Sequence, residues 1–212
     1  MVDSQAGVTA LREMAEQSYA TGQYERALEL FQQVVELDPK CEVAFRGLGF
    51  TLHALNRNRE ALCAFDSALD LRPQDVHSHV GMGLSHGALG EDNLAIRALE
   101  YSLTIDNHND FARHALLIAC RRHTLELLEQ GNIEAARVRI ERALELDAEG
   151  VETVEVALEY YRKVMDYEGA KRWIRRLESS MPHLPELKDW KREFGMGREA
   201  EIGDFRQIHE PE

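Results

Sequence analysis

Nine histidines and three cysteines are the residues of this 212-residue chain best suited to metal or acid–base chemistry. Six of the histidines, His53, His77, His79, His86, His114 and His123, lie close enough in sequence to raise zinc ligation or general acid–base catalysis. A catalytic zinc takes three protein ligands, and two histidines without a neighbouring carboxylate fall short of that set. Cys41, Cys63 and Cys120 are widely spaced, and no Cys-x2-Cys pair offers metal-ligand spacing. They read as small apolar fillers in a reducing compartment. No phosphate loop, dinucleotide fingerprint or Gly-x-Ser-x-Gly elbow is present. The residues therefore predict no enzyme, no metal and no cofactor.

The elements that would position these side chains follow from a repeat. Ala27, Ala61 and Ala95 recur at an even interval of about 34 residues, and each is followed one helical turn later by Phe31, Phe65 or Leu99. An alanine lets two helices cross closely, and the large residue one turn on fills the adjoining gap. Corners such as Thr21-Gly22-Gln23-Tyr24 and Leu89-Gly90-Glu91-Asp92 reverse the chain, and Asp38-Pro39 and Arg72-Pro73 stop the second helix. Gly131, Ala136, Ile140 and Ala143, then Tyr167, Ala170, Ile174 and Pro182, continue the frame. The interval from Ala95 to Ala136 is longer by seven positions than that from Ala61 to Ala95. Seven extra positions are about two helical turns, which predicts a longer first helix in the fourth unit.

With Phe45, Leu48, Gly49, Leu52, Ala61, Phe65 and Pro73 in order, the second unit shows the pattern best, and the chain resembles the tetratricopeptide-repeat family over residues 8 to 182. The resemblance implies an all-α fold, a right-handed superhelical solenoid of antiparallel helix pairs. Five repeats are expected at 8–41, 42–75, 76–109, 110–150 and 151–182, after an N-terminal leader at 1–7. A capping helix is expected at 183–195, where Leu187, Trp190 and Phe194 recur on one face, and a charged tail at 196–212. In that tail Ile202, Phe205 and Ile208 form a possible docking motif.

In this family the first helix of each repeat lines the concave groove. The resemblance places Arg12 and Tyr19 there from the first repeat, Arg46, Gly47, Phe50 and His53 from the second, and His77, Val80, Gly81 and Leu84 from the third. The fourth adds Arg121, Arg122 and Leu125. Gly47 and Gly81, equivalent positions one period apart, read as openings in the groove wall for a ligand's backbone or a helix. Arg46, Arg121 and Arg122 read as groups that orient a carboxylate. His79 and His86 fall where the family usually packs aromatic residues, so they read as core histidines. Chaperone-tail binders of this family clamp a terminal carboxylate with basic and asparagine side chains. Here Glu16, Gly47, His77 and Gly81 replace them, so chaperone C-terminal tails are not the expected partner.

A net charge of -13 argues against nucleic acid or anionic membrane as partner, since phosphate binding needs a clustered positive field. No apolar run approaches the roughly 20 residues of a membrane span, and no secretory signal opens the chain, so a cytoplasmic location is expected. The sequence thus predicts a protein-interaction adaptor or scaffold that takes a helical or extended segment of another protein in its groove and supports assembly of a larger complex. Self-association into dimers or larger oligomers is the alternative.

Overall fold

The computed structural model describes the backbone of residues 2–196 and the side chains of residues 6–196. The helices of these described residues are α1 (Val2–Ala20), α2 (Tyr24–Leu37), α3 (Glu42–Ala54), α4 (Asn58–Leu71), α5 (Val76–Ala88), α6 (Asp92–Ile105), α7 (Asp110–Glu129), α8 (Ile133–Leu146), α9 (Val151–Lys163), α10 (Tyr167–Ser180) and α11 (Leu187–Glu193). No strand occurs among the described residues. The chain divides into two compact units, Met1–Cys120 and Arg121–Glu212, with the division inside α7.

In the first unit, α1 packs on α2, α3 on α4 and α5 on α6, and each pair stacks on the next. The alanine ladder is where the helices meet: Ala27, Ala61 and Ala95 are fully buried, as are Phe65 and, nearly so, Phe31 and Leu99. Direct contacts of α1 with α3 and of α3 with α5 bring the first helices together on one side, the inner face of this unit. On the other side α4 and α6 stand apart, leaving a cleft of about 650 Å³. His79, Met82 and His86 on α5 line that cleft together with Leu94 and Tyr101. This corrects the expectation of core histidines. His79 is only half-buried, meets Tyr101 edge-on at 4.5 Å and donates through Nε2 to the Pro73 carbonyl at 2.9 Å, while His86 Nδ1 lies 2.6 Å from a Glu91 carboxylate oxygen.

The second unit repeats the scheme with α8, α9 and α10, and buried Ala136, Ala143 and Ala170 mark its close crossings. α11 packs on α10, and Leu187 and Phe194 join Val154, Leu158, Ile174 and Leu177 in one cluster. Trp190 and Trp173 lie against that cluster, and the Trp173 indole N–H donates to the Tyr161 hydroxyl. α7 has 20 residues where α3, α5 and α9 each have 13, and its N-terminus is capped by Asn109, whose Oδ1 accepts from the Ala112 N–H.

The N-terminal leader is not an extension before the fold, because α1 begins at Val2 and runs unbroken to Ala20. Val2, Asp3 and Ser4 are weak helix formers and Gly7 the weakest, yet one glycine costs about 1 kcal/mol, too little to stop a helix. The expected tail, including Ile202, Phe205 and Ile208, lies outside the described residues.

The corners keep the same period as the ladder. Gly22, Asn56 and Gly90 in the first unit, then Gly131 and Met165 in the second, all have φ between 57° and 76°. Asparagine tolerates this left-handed conformation, whereas a side chain such as methionine is strained there. Met165 is 74% exposed, so its side chain offsets little of that strain. Met165→Gly is therefore expected to stabilise the chain by about 0.5–1 kcal/mol, read as a rise in the urea midpoint.

Candidate functional site

Gly47 and Gly81 are filled from behind. A Cβ built on Gly47 would stand 2.5 Å from Cε1 of Phe31, and one on Gly81 would stand 2.5 Å from Cε1 of Phe65. Each aromatic ring comes from the second helix of one repeat and passes beneath the first helix of the next. The expected openings are thus the sockets of the chain's own rings. Phe65 also presses on Gly49 of its own repeat, where a Cβ would stand 2.6 Å from Cε1. Gly81 and Val80 are buried, which withdraws both from a ligand-contacting role.

Gly47 differs from Gly81 in remaining half-buried, and around it the inner face opens into a cleft of about 170 Å³ between α1 and α3. Tyr19, Arg46, Gly47 and Phe50, four residues expected to face a ligand, line it together with Glu16 and Val43, and Phe31 completes the lining. Each aromatic wall is held by another ring: Tyr19 by Tyr24 at 5.5 Å, and Phe50 by Phe65 edge-on at 5.0 Å. Burial, then the neighbouring Tyr24, raises the Tyr19 hydroxyl above its ordinary range, so it is a protonated donor at neutral pH. Arg12, half-buried, faces Glu16 with 3.5 Å between Nε and the carboxylate.

Arg46 is not a free carboxylate clamp. Its guanidinium donates to Asp75 at 2.8 Å, and Asp75 is the N-cap of α5, where its other oxygen accepts from the backbone N–H of Ser78 at 2.9 Å and its hydroxyl at 2.6 Å. Burial alone would raise the Asp75 pKa. The Ser78 bonds and the Arg46 charge outweigh it and hold the carboxyl below its ordinary value. Arg46 and Asp75 also line an adjoining polar cleft of about 410 Å³, with Arg72, Gln74, Val76, His77, Asp106 and Asn109 around it. Because the folded pKa is the lower one, Asp75 contributes stability at pH values above the unfolded carboxylate pKa of about 3.9, and that contribution disappears as pH falls through the folded value. Asp75→Asn is expected to cost about 1 kcal/mol at pH 7 and to flatten the acid limb of a stability-against-pH curve measured by urea unfolding.

The remaining predicted residues separate. His53 places Nδ1 2.7 Å from Asn58 Oδ1 and 3.5 Å from the Ser85 hydroxyl, whereas His77 is exposed beside the polar cleft, so the two histidines have different neighbours. Leu84 is half-buried on α5. In the second unit Arg121 faces Glu152 at 3.6 Å, Arg122 is exposed, and Leu125 is 40% exposed. Sequence reasoning misses Phe31 and Asp75 as site residues. The signal for Phe31 is a shared spacing, because Phe31 precedes Gly47 by the same interval as Phe65 precedes Gly81. Asp75 announces itself only as the polar residue before α5, with Ser78 three positions on.

Comparison with known proteins places this architecture. Residues 18–82 match the family model described as tetratricopeptide repeat. The TPR repeat-containing protein YpiA of Bacillus subtilis is 25% identical over 162 residues, covering 76% of this chain and 36% of that protein. The peroxisomal targeting signal receptor of Candida glabrata is 31% identical over 72 residues, covering 34% of this chain and 12% of the receptor. The chain therefore spans well under half the length of the curated relatives it matches. Among solved structures, YrrB, described as a TPR protein with an unusual peptide-binding site, superposes with a TM-score of 0.63 at 19% identity, covering 86% of this chain and 90% of YrrB. Residues 18–82 thus carry the sequence pattern of tetratricopeptide repeats, and the paired helices in one frame share the fold of solved TPR proteins.

Proposed function

We propose that the chain is a protein-interaction adaptor that holds a helical or extended segment of a partner protein against the inner face of its first unit, supporting assembly of a larger complex. The observation that carries this reading is the pair of adjoining clefts that meet at Arg46, the apolar one on that face and a polar one beside it. A segment anchored in both gains apolar burial and fixed hydrogen bonding together, the combination that makes a few interface residues decisive. The apolar cleft is smaller than the roughly 300–1,000 Å³ of small-molecule sites, which favours a side chain over a cofactor or metabolite. Relatives named as a targeting-signal receptor and as a peptide-binding repeat protein support the class of ligand. Glu16 at the cleft and the Asp75 partner of Arg46 oppose a terminal carboxylate, so chaperone tails are not the proposed ligand.

A library of random peptides panned on the full chain tests the reading. Peptides recovered on the wild-type protein are expected to lose about tenfold or more in affinity for Phe50→Glu and for Leu84→Glu, because a buried charge replaces apolar contact. Equal binding to all three proteins contradicts it.

A further inference from the structure

We infer that the cleft between α1 and α3 is a pocket for one aromatic side chain, a phenylalanine carried by the partner segment. The inference rests on the reading of the inner face as a segment-binding surface. Its first support is size: about 170 Å³ is close to the roughly 150 Å³ apolar cavity that takes up a benzene molecule. A methyl group would leave most of that space empty.

The second support is the lining. Tyr19 and Phe50 present rings to the space, almost wholly buried Phe31 closes its floor, and Val43 lies beside them. Aromatic rings prefer edge-to-face or offset neighbours, and an entering phenyl ring meets such partners around the cleft. Phe31 reaches the floor of the cleft only because residue 47 has no side chain. The walls are fixed beforehand, since Tyr19 leans on Tyr24 and Phe50 on buried Phe65. A pocket shaped in advance loses less free energy to ordering when a ligand enters.

The third support is charge. Glu16 is paired with Arg12 and Arg46 with Asp75, so the charges around the cleft balance and it does not select a charged side chain. Arg46 continues into the polar cleft, where Asn109 spends its Oδ1 on the Ala112 N–H and keeps its amide hydrogens as donors. Uncharged polar residues or main-chain carbonyls next to the phenylalanine suit that neighbour.

The wild-type chain titrated with N-acetyl-phenylalanine amide and followed by amide nuclear magnetic resonance tests the pocket without any variant. Saturable shifts are expected at Tyr19, Val43, Gly47 and Phe50, and N-acetyl-alanine amide is expected to produce none. In panned peptides, replacing the shared phenylalanine by alanine is expected to weaken binding by about tenfold or more, and Val43→Phe, which fills the cleft, to weaken it likewise. Absent shifts at these four amides overturn the inference. Peptides without an aromatic residue that are lost with Leu84→Glu but kept with Val43→Phe also overturn it, while leaving the segment-binding reading intact. Peptides indifferent to both Phe50→Glu and Leu84→Glu remove that reading itself.

Discussion

Replacing Phe65 by alanine is expected to lower the unfolding free energy of the first unit by about 3–5 kcal/mol, the largest effect of any single substitution considered. Phe65 is fully buried, and its ring occupies two glycine sockets, Gly49 in its own repeat and Gly81 in the next. Neither glycine has a side chain that could swing into the space, so the cavity stays open and its walls lose their dispersion contacts. Phe50, which stands edge-on to Phe65, would lose its support at the same time, so peptide affinity should fall along with stability. Urea unfolding followed by far-ultraviolet circular dichroism reads the change. Tryptophan fluorescence does not suit this purpose, because Trp173 and Trp190 both lie in the second unit. A loss below about 1 kcal/mol would mean that the ring is not the lock between repeats.

The reciprocal change has the second largest expected effect. In Gly81→Ala the new Cβ would stand 2.5 Å and 2.7 Å from two ring atoms of Phe65. A ring held between helices cannot retreat, and overpacking of this kind costs about 1–3 kcal/mol. Alanine gains up to about 1 kcal/mol in helix propensity over glycine, and the steric term exceeds it. The same substitution at Gly7, also helical but with nothing within 4 Å of the added atom, should stabilise by that propensity term alone. Opposite signs at the two glycines are the expected result. Phe65→Leu placed in the Gly81→Ala background should recover part of the loss. The chain already pairs a smaller side chain with alanine at this spacing, since Ala115 follows Leu99 by the interval that separates Phe65 from Gly81.

The alanine ladder made the helix pairs legible in the sequence because close helix crossings need small residues at a fixed period, and a period survives substitution elsewhere. The corners were legible for the same reason at Gly22, Gly90 and Gly131, though Asn56 and Met165 hold the equivalent left-handed positions without being glycine. The sockets were not legible as such. Phe31 and Gly47 lie on different helices of different repeats, and a missing side chain looks alike in sequence whether it admits a ligand or a ring of the same protein. Arg46 posed a similar difficulty: its type suggests anion recognition, but Asp75, distant in sequence at the cap of α5, already takes its charge. His79 and His86 instead line the cleft between α4 and α6, where they find Pro73, Tyr101 and Glu91 as partners.

We propose that the inner face of the first unit holds a partner segment through the cleft around Gly47. The most direct test is the affinity of a library-selected peptide for the full wild-type chain and for Phe50→Glu, measured by fluorescence anisotropy, with circular dichroism showing that both proteins are folded. The folded variant is expected to bind at least about tenfold more weakly. Equal affinity for the two would contradict it.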